Sequence, residues 1–365
     1  MDRVGIGIIG CGNISAAYLK AARAFPILDV RAVADLNPAA ADARGAEFGV
    51  PATTVEGLLA DPQIEIVVNL TVPLAHVAVG LQAIAAGKHV HSEKPLAIDT
   101  AEARPLLDAA KAKGLRVGCA PDTFLGGAHQ TCRKLIDDGA IGQPLAGTAF
   151  FMCPGHERWH PSPAFYYLRG GGPVLDMAPY YVTDLVNLLG PVARVAGITA
   201  RARSTRTITS QPLAGQTIPV EVATHAAATL EFVSGPVVTM VMSFDVPRHR
   251  HRPIEIYGSE GAMAVPDPNW FGGQIEIGTA AGDWRAVITE HAYANGNFRI
   301  IAVADMAHAI RRNRPHRASG ALAFHVLEVM EAVQRSSDEG RHITIASRPE
   351  RPAMLPADLM PGDLD

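Results

Sequence analysis

The stretch Val4-Gly5-Ile6-Gly7-Ile8-Ile9-Gly10-Cys11-Gly12-Asn13-Ile14-Ser15 decides how the rest of the chain is read, because it joins an apolar strand to a helix through a glycine turn. Two frames match Gly-x-Gly-x-x-Gly or its small-residue variant. The first, Gly5 to Gly10, lies inside the strand, where no phosphate could be cradled. The second, Gly10 to Ser15, follows the strand and opens the helix, as a dinucleotide-binding turn requires. In that frame Gly10 makes the tight turn and Gly12 lets a pyrophosphate approach the backbone beside Asn13 and Ile14. Ser15 is small enough for close helix–strand packing.

Working outward, the second apolar run (30–34) ends at Asp35, about 20 residues beyond the turn, where an acidic residue can accept bonds from both hydroxyls of an adenosine ribose. The same carboxylate would repel a 2′-phosphate, and the following Leu36 and Asn37 supply no arginine to neutralise one. NAD is therefore favoured over NADP.

Residues 4–120 continue this alternation. Strand-like runs at 4–9, 30–34, 64–70, 89–91 and 115–119 are separated by helical patterns at 14–24, 39–48, 74–86 and 101–113. Apolar strands divided by helices imply an α/β fold with a doubly wound parallel sheet of Rossmann type, ending near residue 122. Beyond it the pattern changes. Helices at 128–138 and between Gly172 and Gly190 accompany strand-like runs at 145–152, 192–200, 222–232, 237–244, 254–257, 262–265 and 274–277. These predict a second α/β domain (123–347) with a large, mostly antiparallel sheet. Helices at 300–311 and 321–334 precede a Pro-rich tail, 348–365, expected to lack regular structure.

At 365 residues and 48% hydrophobic composition, two domains with separate cores are expected. Four cysteines without paired metal-ligand spacing read as reduced thiols, so no metal site and a cytoplasmic location are expected. The N-terminus has no export-signal pattern, and the most apolar stretch, 67–86, is interrupted by Asn69, Pro73, His76 and Gln82, so no membrane span is expected. A net charge of −4 gives no general case for nucleic acid.

Chemistry gathers around three residues. Lys94, in His91-Ser92-Glu93-Lys94-Pro95, falls at the carboxyl end of a parallel strand, the edge where ligands bind in open α/β sheets. By itself it reads equally well as a solvated loop lysine. Gly170-Gly171-Gly172-Pro173-Val174-Leu175-Asp176-Met177-Ala178-Pro179-Tyr180 places Asp176 and Tyr180 on one helical face at i and i+4, although Pro179 should kink that turn or mark the helix start. A phenol with a value near ~10 becomes a usable base only beside positive charge. Lys94 would supply that charge and hold the substrate oxygen, Tyr180 would exchange the proton, and Asp176 would orient substrate or lysine.

His156-Glu157-Arg158-Trp159-His160 matches HExxH, but Pro154-Gly155 before it and Pro161 after it deny it the helix a zinc site needs. It reads better as a substrate loop, His156 offering hydrogen bonds and Trp159 a flat face for a sugar ring, with plain loop packing an equal alternative. Asp122, just past the fifth strand, is a candidate for a substrate hydroxyl or a turn-forming aspartate. The basic run Arg248 to Arg252 fits a charged hairpin end better than a phosphate site.

The ordered set Gly10-x-Gly12-x-x-Ser15, Thr71-x-Pro73-x-x-His76, Glu93-Lys94-Pro95 and Gly170-Gly171-Gly172-x-x-x-Asp176-x-x-x-Tyr180 resembles the glucose-fructose oxidoreductase/inositol dehydrogenase/rhizopine catabolism (Gfo/Idh/MocA) family, up to about Gln334. The resemblance implies an NAD-dependent oxidoreductase acting on CH–OH groups of a sugar, glycoside or cyclic polyol, with homodimers or homotetramers formed through the second domain's sheet. It implies that Thr71, Pro73, His76 and Glu93 line the cofactor cleft and that Lys94 lies near nicotinamide and substrate. Tyr180 stands where many members, such as inositol dehydrogenases, carry histidine, and Ala178 replaces a common glycine; a tyrosine at this place is similar to glucose-fructose oxidoreductase and some sugar ketoreductases. The family also reaches glycosidases and lyases that use bound NAD transiently, and NAD-binding regulators without turnover, which stand as alternatives.

Overall fold

In the computed structural model, which describes residues 2–365, the first domain runs β1 (Val4–Ile9), α1 (Asn13–Ala22), β2 (Leu28–Ala34), α2 (Pro38–Phe48), β3 (Ala52–Thr53), α3 (Val55–Ala60), β4 (Ile66–Asn69), α4 (His76–Ala85), β5 (His89–Ser92), α5 (Thr100–Ala112) and β6 (Val117–Cys119). The strands form one parallel sheet in the order β3-β2-β1-β4-β5-β6, so the chain reverses direction across the sheet between β1 and β4. That switch point opens a crevice beyond the strand ends, where the Gly-rich turn lies. Every residue of β1 and β4 is buried, which explains their unbroken apolar sequence.

Helix boundaries follow local chemistry. Asn37 caps α2 by accepting from Ala39 N at 3.2 Å with Pro38 in the first turn, and Asp99 caps α5 through Glu102 N at 2.8 Å. The sequence pattern missed β3 and α3. The two β3 residues are both exposed and carry no apolar signal.

The second domain contains α6 (Gly127–Asp137), β7 (Pro144–Met152), α7 (Gly172–Leu189), β8 (Val192–Ala200), a ribbon of β9 (Thr205–Thr207) and β10 (Thr217–Pro219), then β11 (His225–Phe232), β12 (Val237–Ser243), β13 (Ile254–Gly258), β14 (Gly261–Val265), β15 (Ile275–Thr279) and β16 (Gly282–Val287). Helices α8 (Ile301–Arg312) and α9 (Gly320–Glu339) and strand β17 (Ile343–Thr344) follow. Nine strands make one open sheet, β16-β15-β14-β13-β7-β12-β11-β8-β17, antiparallel except where β7 lies parallel to β12. Strict alternation along β11 and β12 sends Ala228, Leu230, Val238, Met240 and Met242 into the core beneath α7 and α9. The other face carries Ala227, Thr229, Thr239 and the exposed Ile198 and Val237, with no helix of the described residues over it.

The late helices return to the first sheet. Cys119 N donates to Ala318 O at 3.2 Å, and Arg116 Nη1 donates to Arg314 O at 2.6 Å, joining β6 to the segment before α9. Residues 348–365 form no helix or strand, as expected, yet they are pinned across the molecule. Arg351 pairs with Asp137, Leu355 N donates to Gln130 Oε1, and Leu355 and Leu364 are buried. No helix among the described residues is long and apolar enough to cross a membrane.

Candidate active site

The Gly-rich turn is built for close approach. Gly10 has φ +104, and a Cβ there would sit 2.6 Å from the Leu70 carbonyl, so only glycine fits. At Gly12 a Cβ would meet nothing within 4 Å: the space in front of it is open. Gly12 is the N-cap of α1, no side chain caps it, and no acidic residue stands in the first turn. The uncapped amides and the positive end of the helix, beside Asn13 and Ile14, thus face an open cradle fit for a pyrophosphate. Ser15 is buried and donates to Gly12 O at 2.6 Å.

Asp35 lies at the tip of β2, its carboxylate accepting from Cys11 N at 2.7 Å and Asn37 N at 2.8 Å. These bonds lock it to the glycine turn and leave lone pairs for a ribose. The sequence neighbourhood offers no arginine, but the fold supplies one. Arg44 of α2 reaches back to donate to Gly12 O at 3.2 Å while pairing with Glu47 at 2.5 Å. About two turns of α2 separate Arg44 from the end of β2, so adjacency in sequence could not reveal it.

Thr71 and Pro73 occupy the loop after β4, and His76 opens α4. Thr71 donates to Asn69 Oδ1 at 2.7 Å, and Pro73 is half-buried between the exposed side chains of Val72 and Leu74. His76 is completely buried, with Nδ1 2.7 Å from Pro95 O and Nε2 3.0 Å from Thr71 O. Burial holds its imidazole below the ordinary value although both carbonyls favour a proton. The expectation that His76 lines the cofactor cleft is corrected: it ties the Thr71 loop to the lysine loop from behind. Glu93 is likewise a support, since its two oxygens accept from Tyr18 Oη at 2.8 Å and Lys94 N at 3.0 Å.

Lys94, Asp176 and Tyr180 are brought together from positions 82 and 86 residues apart. Lys94 Nζ donates to Asp176 Oδ1 and to Asp176 O, both at 2.7 Å, and lies 5.3 Å from the Tyr180 ring centroid. Helix α7 starts at Gly172 and continues through Pro179. Proline cannot give Leu175 the usual N–H, and at this turn Lys94 supplies a donor to the next carbonyl. Burial alone would push the Lys94 ammonium down; the Asp176 carboxylate overcomes it and holds the ammonium well above its usual range. Burial likewise opposes ionisation of Asp176, but Lys94 and His156 hold its carboxyl at about 2. The pair is therefore charged across the physiological range.

Tyr180 modifies the sequence-based expectation. Burial raises its phenol above the ordinary value, and the lowering by Lys94 and by Arg299 does not fully offset it. Arg299 is the residue that sequence reasoning missed. Its guanidinium lies 5.6 Å from the Tyr180 centroid, and Nη2 donates to Asn269 Oδ1 at 2.8 Å. A lone arginine before an apolar helix carries no motif. Its placement depends on Ile300, which adopts φ +107, a strained conformation for a β-branched residue costing about 1–3 kcal/mol. Asp122 holds that strain: its Oδ2 accepts from Ile300 N at 2.8 Å. Asp122 is fully buried, and burial pushes its carboxyl up to about 6 against the pull of Arg299. The reading of Asp122 as a ligand for a substrate hydroxyl is thereby corrected, because its carboxylate does not reach the cleft surface.

The loop after β7 brings His156 to Asp176, Nε2 to Oδ2 at 3.1 Å, and leaves Trp159 61% exposed at the mouth. Residues His156–Arg158 form a single 3-10 turn, which does not place His156 and His160 on a common helical face. No cluster of metal-ligating side chains occurs among the described residues.

Comparison with known proteins agrees with this architecture over both domains. A family model described as "Oxidoreductase family, NAD-binding Rossmann fold" matches residues 4–120, and one described as "GFO/IDH/MocA C-terminal domain" matches residues 129–264. Inositol 2-dehydrogenase of Rhizobium meliloti is 27% identical over 350 residues, covering 94% of the chain and 99% of that protein. Inositol 2-dehydrogenase/D-chiro-inositol 3-dehydrogenase of Lactiplantibacillus plantarum is 35% identical over 151 residues, 38% of the chain and 41% of that protein. Among solved structures, levoglucosan dehydrogenase in complex with NADH and L-sorbose superposes with a TM-score of 0.83 at 22% identity, covering 95% of the chain and 100% of that structure, which establishes the shared fold.

Proposed function

The chain belongs to the GFO/IDH/MocA oxidoreductases, and from that premise we propose that it transfers hydride between nicotinamide and a secondary alcohol or ketone of a sugar, glycoside or cyclic polyol. The observation that carries the reading is the Lys94–Asp176 ion pair set against Tyr180 at the end of β5. The relatives named for inositol and levoglucosan oxidation support the substrate class.

The nicotinamide, when bound, supplies the hydride acceptor or donor. Gly12, Asn13 and Ile14 would hold the pyrophosphate, and Asp35 the adenosine ribose. A carboxylate fixed at that site favours NAD over NADP, and Arg44, already paired with Glu47, does not cancel it.

Two of the three Lys94 protons are taken by Asp176; the third points the ammonium's charge at the substrate oxygen. Among the described residues the Tyr180 hydroxyl donates to no protein group, which leaves it available to exchange the substrate proton. Lys94 and Arg299, on the same ring, stabilise the phenolate against the burial that opposes it. Trp159 offers a sugar ring an apolar face. The helix-free face of the nine-stranded sheet, with Ile198 73% exposed, fits a second copy of the chain in a homodimer or homotetramer. All four cysteines are unpaired, which suits a reducing compartment such as the cytoplasm.

The test is NADH formation from NAD⁺ with a panel of sugars, glycosides and inositols. Turnover on at least one is expected, with NADP⁺ a poorer acceptor. Binding of NAD⁺ without reduction across the panel would overturn the proposal.

A further inference from the structure

Lys94 is aimed by Asp176, and Asp176 is aimed in turn by a side chain from a different element. His156 Nε2 lies 3.1 Å from Asp176 Oδ2, while the other ring nitrogen, Nδ1, lies 3.1 Å from Trp159 Nε1. An indole N–H can only donate. Nδ1 must therefore accept, and the single ring proton belongs on Nε2, from which it donates to the carboxylate. The alternative tautomer would face one N–H with another at Trp159 and set a lone pair against Asp176. An imidazolium would keep the first of these clashes. One protonation state out of three satisfies both contacts.

The ring has no freedom to turn away from them. His156 is 7% exposed, packed with centroids 4.5 Å from both Tyr166 and Phe244. Its backbone N donates to Tyr167 Oη at 3.1 Å, and that hydroxyl is bonded to Glu157. Glu157 pairs at 2.8 Å with Arg206, a guanidinium 3% exposed that also pairs with Asp245 and donates to Pro154 O. A buried ion network thus clamps the loop from beneath while the indole face of Trp159 stays open above. Both terminal nitrogens of Arg206 are bonded in this network, Nη1 to Glu157 and Pro154 O and Nη2 to Asp245 and Phe244 O, while Nε has no acceptor.

We propose that Trp159 and His156 are positioning residues that act as a tautomer lock on Asp176. The indole N–H holds His156 as the neutral Nε2–H form, which fixes Oδ2 and so keeps Oδ1 for Lys94. The chain Trp159 to His156 to Asp176 to Lys94 connects the exposed platform at the mouth with the ammonium that holds the substrate oxygen. A ring stacked on Trp159 orders the same side chain that sets the lysine. This inference rests on the oxidoreductase reading of the Lys94 site.

The test uses the full chain saturated with NAD⁺ and ¹⁵N-labelled on its histidine rings. His156→Asn identifies the His156 signals among the 14 histidines. The wild type is expected to show His156 as neutral Nε2–H. Trp159→Phe keeps a flat face but removes the donor, and the His156 ring signals should leave that tautomer. In turnover, Trp159→Phe should lower kcat about tenfold with KM changed less than about twofold, an effect the size of one lost hydrogen bond in the transition state. Trp159→Ala should raise KM as well. His156→Gln, whose amide can both accept from Trp159 and donate to Asp176, should recover most of the kcat lost in His156→Ala. An Nδ1–H or charged His156 in the wild type would overturn the lock, as would a Trp159→Phe spectrum or kcat unchanged from wild type. If no sugar is oxidised by the wild type while Trp159→Phe still shifts the tautomer, the lock stands and the oxidoreductase reading falls.

Discussion

The two sides of the cleft are made of different material. The cofactor side is backbone: an open Gly12, an uncapped α1 and a carboxylate bonded to main-chain amides. The reaction side is side chain, with Lys94, Asp176, Arg299 and the loop that carries both His156 and Trp159 arriving from four separate elements. A pocket made of backbone recognises what every substrate shares, the phosphates of the dinucleotide, and tolerates little change. A centre made of side chains can be altered one residue at a time, so that selectivity for the second reactant is expected to reside there.

Breaking the side-chain half should cost most. Asp176→Ala leaves the Lys94 ammonium buried without its counter-ion, and unfolding free energy should fall by about 3–5 kcal/mol in denaturant titration, with turnover lost. The same pair has an acid signature. The folded-state value of Asp176 is depressed to about 2, so its contribution is fully present above the unfolded carboxylate value of ~3.9 and is lost as pH falls toward 2. Asp176→Asn should remove that segment of the stability-versus-pH curve; an unchanged acid limb would contradict the pairing.

On the backbone half the two glycines should separate. Gly12→Ala adds a methyl to open space, so the melting temperature should stay within about 2 °C while the Kd for NAD⁺ rises about tenfold or more. Gly10→Ala forces a side chain into the Leu70 carbonyl at positive φ and should destabilise by about 1–3 kcal/mol before any effect on affinity. Equal behaviour of the two variants, by thermal shift and NAD⁺ titration, would break the comparison.

A smaller effect sharpens it. Arg299→Met removes one of two cations on the Tyr180 ring, and the limb along which kcat for alcohol oxidation rises with pH should move to higher pH, with Arg299→Lys moving it less. A limb that stays in place would remove Arg299 from the account of Tyr180.

The same contrast explains what the sequence disclosed. Gly10, Gly12 and Asp35 act through local spacing, and strand, turn, helix and acid occur in register within one βαβ unit. The Lys94–Asp176 pairing was readable because each residue sits in a recognisable motif, although 82 positions separate them. Arg44 and Arg299 could not be read. Each is an ordinary arginine on or before a helix, and its role follows from a tertiary path that no local pattern encodes. His76 and Asp122 were misjudged for the converse reason: they stand next to the cleft in sequence, but burial turned them into supports for Thr71, Pro95 and Ile300. The short exposed β3 was invisible because its residues have no buried face to mark.

The most direct test of the reaction centre is NADH formation by Lys94→Met, compared with wild type on whichever sugar or polyol the panel identifies, at saturating NAD⁺. The variant should bind NAD⁺ within about threefold of wild type, because the phosphates and ribose are held by α1 and Asp35, while kcat falls by about a thousandfold. A Lys94→Met enzyme that bound NAD⁺ normally and kept the wild-type rate would contradict the assignment of the Lys94–Asp176–Tyr180 cluster as the centre of the reaction.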